Sequence, residues 1–581
     1  MAQIDPGTSK LSENKRPRLL RIVMAALIVT FLFASTMSLL PNPSSENPPA
    51  PVPVRIAYTA HANITIIGNA GFLAANASTG IANGSGTAVD PYIIEEWDID
   101  ASSFEGIYIQ NANVHFIVRG CYIEGGEDMN RAIHLNNCTN GTVTGNVCID
   151  NYDGVALENS YGITVSNNSI DNEDWLDEYG ISIFGSSHDN IIVGNNCSHC
   201  DEGVYLSNSY NNTIVNNTIY SNVGCGINLW LSDGNTLVNN TCRSNSNEGI
   251  LLEGSGYNTL SGNNCTGNYL GIYLLSSSNY NTLINNTCDS NTDYGMEISS
   301  SGWNTLVNNT CTNNDDGIDL YGSSHNILSN NTFSSNAFYG IYLQSSINNT
   351  LFNNNCSGAT SGYGIALFAS SNNNTLSGNN CSGNSADGMH FWGSDDNMLS
   401  NNTIILNGAD GMALWSSSDC NTFFNNTCSS NANSGMLLSM STNNTIAWNR
   451  FCNNTADGIF AAPGADRNTI WNNTFIGNNG VTGTYNPAVT QAEDDGADNR
   501  WNSSSGFGNY WSDLTSPDTV APFGIVDWSY NLTGSSSSKD YYPLTTPSPV
   551  PPVIPEFSEI IIPIAGLMLI ALILRKTRKD P

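Results

Sequence analysis

Carboxylates are the reactive side chains this sequence holds in excess, and they gather in five short stretches. These are Asp171, Glu173, Asp174, Asp177 and Glu178; Asp201 with Glu202; Asp315, Asp316 and Asp319; Asp395 with Asp396; and Glu493, Asp494, Asp495 and Asp498. Two positioned carboxyls can hydrolyse a glycosidic bond, and a lyase needs one base, usually beside Ca2+ or Arg. The Asp171–Glu178 stretch widens one turn of the chain's repeat and is the candidate Ca2+ or ligand loop. The other acids read as a hydrated surface. Arg131 and His134 fall within one repeat and are expected to be solvated rather than to line a groove. Cys197-Ser198-His199-Cys200 is the one local run of metal-ligand types, and its proximity is expected to be accidental. No catalytic residue and no resident cofactor is assigned, Ca2+ being the one candidate ion.

The charge is distributed unevenly. The 581 residues carry a formal charge of −33. Five basic residues lie in the first 21 (Lys10, Lys15, Arg16, Arg18, Arg21) and four in the last seven (Arg575, Lys576, Arg578, Lys579). Residues 22–574 therefore hold only eight basic residues and carry a net −39. Such a surface repels phosphate backbones, so nucleic acid is excluded as a partner. Asn makes up about one residue in seven, far above the level of ordinary helical domains. A helical bundle, a nucleotide-binding α/β enzyme and a polytopic transporter are excluded with it.

These residues are positioned by a repeat. Gly followed by apolar–x–apolar recurs at Gly106, Gly154, Gly180, Gly203 and onwards to Gly458, with Ala132 in one early slot. From Gly180 the spacing is always 22 to 24 residues. About ten residues after each triplet comes Asn-Thr-(Ile/Leu)-x-Asn-Asn, as at Asn235–Asn240 and Asn304–Asn309. Each unit holds three short period-2 segments and no helical period. Segments this short bury a face only by stacking on their copies, which predicts an all-β parallel β-helix of about 16 rungs. Gly is expected to supply positive φ before the first strand, and Asn a left-handed corner and an internal ladder. The middle residues of the triplets (Tyr108, Tyr205, Tyr273, Tyr342) should face outward as sugar-stacking platforms.

The cysteines follow the same register. One slot reads Cys197, Ile219, Cys242, Cys265, Cys288, Cys311, Phe333, Cys356, Cys381, Ile404, Cys428, Cys452, Phe475. Free exchange with Ile and Phe predicts buried thiols rather than disulfides or metal ligands. Asn-x-Ser/Thr sequons are abundant. Those inside the Asn-Asn-Thr phrase, such as Asn239 and Asn308, are expected to be locked in the ladder. Asn63, Asn76, Asn83, Asn502 and Asn531 are the glycosylation candidates.

The order of parts is a basic cytoplasmic start (1–21), a signal or transmembrane segment (22–40), a Pro-rich spacer (41–54) and an entry cap (55–105). The β-helix repeats (106–475), a capping segment (476–544), a Pro-rich linker (545–559), a transmembrane segment (560–574) and a basic tail (575–581) follow. The two apolar segments, each with a basic cytoplasmic flank, predict a membrane-anchored chain with its bulk outside the cell.

Two resemblances add to this reading. Pro555-Glu556-Phe557, an apolar segment and a basic cluster resemble PEF-type C-terminal sorting signals of archaeal surface proteins, which implies an archaeosortase-like processing enzyme. The run from Gly84 to Trp97 resembles the entry segment of archaeal NosD-like proteins. Arg500-Trp501, Gly508–Asp513 and Asp540–Leu544 resemble that family's closing segment. With the repeats, this second likeness covers about residues 60–545 and implies a right-handed β-helix of the carbohydrate-binding and sugar-hydrolase (CASH) type. The copper role of the founding NosD protein transfers poorly, since the seven His are dispersed and the Met residues look unclustered. The Gly-His-Gly and Arg-Ile-Lys phrases of polygalacturonase-like enzymes are absent. The resulting expectation is a non-enzymatic, glycosylated surface rod for adhesion, envelope structure or contact with cell-surface or environmental glycans. The alternative is a polysaccharide lyase, hydrolase or epimerase using a lateral groove.

Overall fold

A chain of three-residue strands separated by Asn and Ser can satisfy its backbone only through neighbouring turns of a coil, and it does so here. The computed structural model describes residues 58–547 except 74–78, 127–128, 173–177, 516–517 and 520–523. Both terminal apolar segments and Pro555-Glu556-Phe557 lie outside the described residues. Among those described, no helix is long and apolar enough to cross a membrane.

One rung illustrates the rest. Leu270–Leu275 belongs to a first sheet, Thr282–Ile284 to a second and Thr287–Asp289 to a third. Each strand pairs in parallel with its copy in the next rung: Ile272 with Met296, Leu283 with Leu306, Cys288 with Cys311. Sheet 1 runs through 18 such strands, one for each of the 16 repeats plus Ile64–Ile67 at the start and Glu493–Asp494 at the end. The entry segment therefore supplies a rung of its own. Inward-facing Ile272, Leu274, Leu283 and Cys288 are buried, and a single apolar core runs the length of the coil. Each such side chain contributes roughly 1.5–3 kcal/mol, but only against the rungs above and below.

The corners explain the Asn content more fully than one ladder would. Between sheets 2 and 3, Asn285 takes the left-handed conformation (φ 55°) while Asn286 turns inward. Asn286 Nδ2 donates to Leu260 O and to Asn309 Oδ1, both at 3.0 Å, and its Oδ1 accepts from Asn263 N at 3.0 Å. This ladder is unbroken from Asn146 to Asn509. A second Asn ladder lines the corner between sheets 1 and 2, from Asn190 to Asn499. A third, including Asn222, Asn245 and Asn268, lines the return to sheet 1. Serines from Ser209 to Ser371 form a fourth, each backbone N–H donating to the next Oγ.

Three expectations need correction. The repeat glycines do not adopt positive φ; they are required by contact. A Cβ on Gly271 would lie 2.3 Å from Gly295 O and 2.8 Å from Cys288 Cβ. Cys452 does not occupy the cysteine slot: Phe451 does, pairing with Cys428 and Phe475. The slot falls two residues after the ladder Asn, here Asn449, a count hidden in the sequence by Trp448 in place of the usual first Asn. The sequon residues Asn239 and Asn308 are not locked inside. They are the exposed, left-handed corner residues, and the ladder is built from Asn240 and Asn309.

All 15 cysteines are free, and all but Cys420 are buried. Burial pushes the Cys197 and Cys428 thiols far above the usual range. The open end of the core is closed by aromatic residues of the capping segment. Trp511 stacks on Phe475 at 4.2 Å and on Tyr530 at 4.0 Å. Trp501 and Trp511 donate their ring N–H to Asp494 and Asp540 at 2.8 and 2.9 Å.

Candidate functional site

The chemistry gathers on the outer face of sheet 1. Two positions of every repeat point there: the residue before the Gly, and the middle residue of the triplet. Parallel register stacks them into two columns with a rise of about 4.8 Å per rung. Tyr108, Tyr205, Tyr273 and Tyr342 lie in this face, half-buried, as the alternation predicts.

At its N-terminal end Arg131 and His134 are not solvated. His134 is only 4% exposed. Its Nδ1 faces Glu105 Oε1 at 2.8 Å and its Nε2 faces Glu158 Oε2 at 3.1 Å. Arg131 Nε donates to Asp153 Oδ2 at 2.6 Å, and Ser182 Oγ donates to the same oxygen at 2.9 Å. Tyr108 packs against His134 at 5.0 Å, and Phe184 lies under the Arg131 guanidinium. Burial pushes Glu105 up, yet His134 and Arg131 together hold it below the usual carboxylate range. For Asp153, burial wins and the carboxyl is raised despite Arg131. Neighbouring strands thus bring together Arg131, His134 and acids that no local motif links. A recess of about 510 Å³ adjoins them, lined by Asn63, Phe104, Glu105 and Tyr108 among others.

The middle of the face is acidic. Burial pushes Glu202 up to about 8, against a 2.7 Å hydrogen bond from Asn228. Glu297 and Asp316 are pushed up to about 7, and Asp319 to about 8, first by burial; Asp293 adds to all three, and Glu297 and Asp316 add to Asp319. Further on, His390 Nδ1 meets Asp387 Oδ2 at 2.8 Å, with Tyr363 stacked at 4.5 Å and Phe368 at 5.4 Å. Asp410 and Asp457 follow in the same column, raised by burial to about 6 and about 7. Sequence reasoning missed Asp387, His390, Asp410 and Glu297. The signal that finds them is their place relative to the repeat Gly, not their spacing from one another.

The other candidates are dispersed. Asp171 Oδ1 meets His199 Nδ1 at 2.6 Å, Glu178 is buried, and Glu173, Asp174 and Asp177 lie outside the described residues. Cys197 and Cys200 are buried while half-buried His199 turns to Asp171, so the four-residue run does not converge. Asp315 is exposed. Asp395 accepts Asp419 N at 2.8 Å as a turn cap beside exposed Asp396. Asp494 holds Trp501, Asp495 accepts Ser535 N at 2.6 Å, and Asp498 is exposed. Asn63 donates to the carbonyls of Asp100, Phe104 and Glu105. Asn83 is exposed, Asn502 and Asn531 are half-buried, and Asn76 lies outside the described residues.

Fold and face together define an all-β parallel solenoid with a long acid-and-aromatic lateral surface. The chain belongs to the NosD family, described as "Periplasmic copper-binding protein (NosD)", whose model matches residues 62–247, 117–292, 232–361, 288–393 and 359–516. A periplasmic family is in keeping with a chain whose bulk lies outside the cytoplasm. The donor set does not fit the copper of that description. Met389, Met412 and Met436 are in fact neighbours on consecutive rungs, but all three are sealed in the core. The stacked thiols are equally buried, with ionisation strongly opposed. Among the described residues no group of three His, Cys, Asp or Glu could hold a metal ion.

No curated protein matches the chain. Solved structures similar to it include the A-module of the mannuronan C-5 epimerase AlgE4 from Azotobacter vinelandii (13% identity, 54% of this chain and 90% of that one, TM-score 0.39). The DFA-IIIase from Arthrobacter chlorophenolicus A6 is similar at 12% identity over 42% and 83% (TM-score 0.32). The periplasmic alginate epimerase AlgG is similar at 13% over 61% and 82% (TM-score 0.29). No function is read from likenesses this distant.

Proposed function

We propose that this protein is a membrane-anchored, glycosylated surface solenoid that holds glycan chains along the outer face of sheet 1. The observation that carries this reading is the pair of columns that stack tyrosines with carboxyls, as at Tyr273, Glu297, Asp319 and Tyr342 on four consecutive rungs. Aromatic rings offer stacking surfaces to sugar rings, and carboxyls accept hydrogen bonds from their hydroxyls. A face that repeats once per rung suits a polymer better than an enclosed ligand. The basic, apolar ends of the sequence support anchoring, and its PEF-like tail supports processing by an archaeosortase-like enzyme at an archaeal surface. Ca2+ binding near Asp171 is a secondary proposal, resting on the acid-rich loop.

A second reading is favoured by one observation. Glu297 and Asp319 stand on adjacent rungs with a backbone spacing of about 4.8 Å, and burial opposes the ionisation of both, which suits the acid of a glycoside hydrolase's carboxyl pair. Incubation with a panel of acidic, neutral and amino glycans, read for both retention and cleavage, separates the two. Retention without cleavage is the expected result. Turnover that disappears in Asp319→Asn overturns the binding reading in favour of the enzyme.

A further inference from the structure

Towards both ends of this face the chain supplies its own partners for the carboxyls. Arg131 pairs with Asp153 and Glu105, and His390 with Asp387. The middle is different. No Lys or Arg occurs between Arg243 and Arg450. His325, in the same stretch, stands at a corner stacked on Trp303 at 4.2 Å. Yet the carboxyls are most crowded here. Register places Tyr273, Glu297, Asp319 and Tyr342 in one column on four consecutive rungs. Tyr294, Asp316 and Tyr339 form the second column on the last three of those rungs. In both columns tyrosines flank the acids: two acids in the first, one in the second.

Asp319 is the telling residue. It is only 7% exposed, its neighbours Ile318 and Leu320 point into the core, and its Oδ1 has no hydrogen-bond partner. A buried carboxyl left unpaired is costly, whether it is ionised or kept neutral without a partner. Asp316 differs, since its Oδ1 accepts Tyr339 N at 2.9 Å. The missing partner must bring positive charge and N–H donors and must fit between aromatic rings. A metal ion is disfavoured, because these carboxyls do not group as ligands among the described residues. An ammonium group meets all three requirements: it donates three hydrogen bonds, neutralises charge and is attracted to tyrosine faces.

We propose that Glu297, Asp316 and Asp319, framed by Tyr273, Tyr294, Tyr339 and Tyr342, form a subsite for the ammonium group of an amino sugar residue within a bound glycan. The proposal rests on the glycan-holding reading and specifies its ligand: a glycan with free amino groups, not an acetylated or acidic one. It has a proton signature. Asp293 and Glu248 also face this cluster and help to keep its carboxyls protonated near neutral pH. An arriving cation favours their ionised form, so binding at pH 6 releases protons.

Titration calorimetry of the full chain at pH 6 tests this, with glucosamine oligomers, N-acetylglucosamine oligomers of equal length, spermine and Ca2+ as separate probes. The glucosamine oligomer is expected to bind at least about tenfold more tightly than its acetylated counterpart. Its apparent enthalpy should change with the buffer's ionisation heat, reporting proton release. Asp319→Asn and Glu297→Gln should each weaken it by about tenfold or more while leaving the acetylated oligomer unchanged. Both variants remove the ability to ionise with little change in volume, and melting curves confirm that they fold. Equal binding of the two oligomers overturns the ammonium subsite and leaves the glycan-holding reading standing. Spermine or Ca2+ binding with neither sugar bound, or no binding at all, overturns both.

Discussion

Replacing Asn286 by Leu tests the physical basis of the solenoid at a single point. The Asn286 side chain takes part in four hydrogen bonds: it accepts from Asn263 N and Nδ2, and donates to Leu260 O and Asn309 Oδ1. Leu has the same side-chain branching and number of heavy atoms, so no cavity opens, while its bulkier methyl groups add some overpacking to the polar loss. At about 1 kcal/mol net per bond, the loss is on the order of 4 kcal/mol, with Asn263 N–H left buried and unpaired. Adjacent Asn285 provides the control. It is exposed and left-handed, so Asn285→Ala should cost only about 1 kcal/mol in backbone strain. In a solenoid the damage should stay near the altered rung. Native-state hydrogen exchange is the suitable assay, because it resolves local opening. For Asn286→Leu, amides in the rungs of Asn263 and Asn309 should exchange about a thousandfold faster, with those near Asn168 and Asn449 unchanged. An acceleration below about tenfold, or one equal to that of Asn285→Ala, would refute the claim that the ladders carry the fold.

Other outcomes follow from the same geometry. Gly271→Ala should destabilise by several times more than Gly383→Ala, measured by denaturant melts. The first Cβ meets Gly295 O and Cys288 Cβ, whereas the second has open space and pays only for its positive φ, about 1 kcal/mol. The raised carboxyls Glu202, Glu297, Asp316 and Asp319 hold more protons in the folded state than in the unfolded chain. Their contribution to stability is complete below about pH 4 and is lost as pH rises through about 7 to 8, and Asp319→Asn should flatten that slope in thermal melts across pH. A thiol reagent should label Cys420 quickly in the native protein and all 15 cysteines only after unfolding, as counted by mass spectrometry.

The fold was readable because every rung repeats the same local instruction. Gly-apolar-x-apolar and Asn-Thr-(Ile/Leu) set which side chains face inward, and exchange of Cys with Ile and Phe marked a core slot. The errors arose where a residue's neighbours come from other rungs. Gly271 looks like a turn glycine in one dimension; its constraint is a carbonyl 24 residues further on. Asn239 and Asn240 are identical in type, and only the coil decides that one meets solvent and the other the ladder.

By itself the sequence determined the solenoid, its approximate number of turns, its acidic character and the burial of its cysteines, because period and composition are properties of one strand of text. Only the tertiary structure decided which polar groups meet. Arg131 is 22 residues from Asp153, Asp387 is 23 from Asp410, and Glu297 is 22 from Asp319. Each pair becomes adjacent because one turn of the coil consumes that length of chain while advancing a single strand spacing. Burial on the sheet 1 face then sets the protonation of those carboxyls, and no count of acids along the chain could show it.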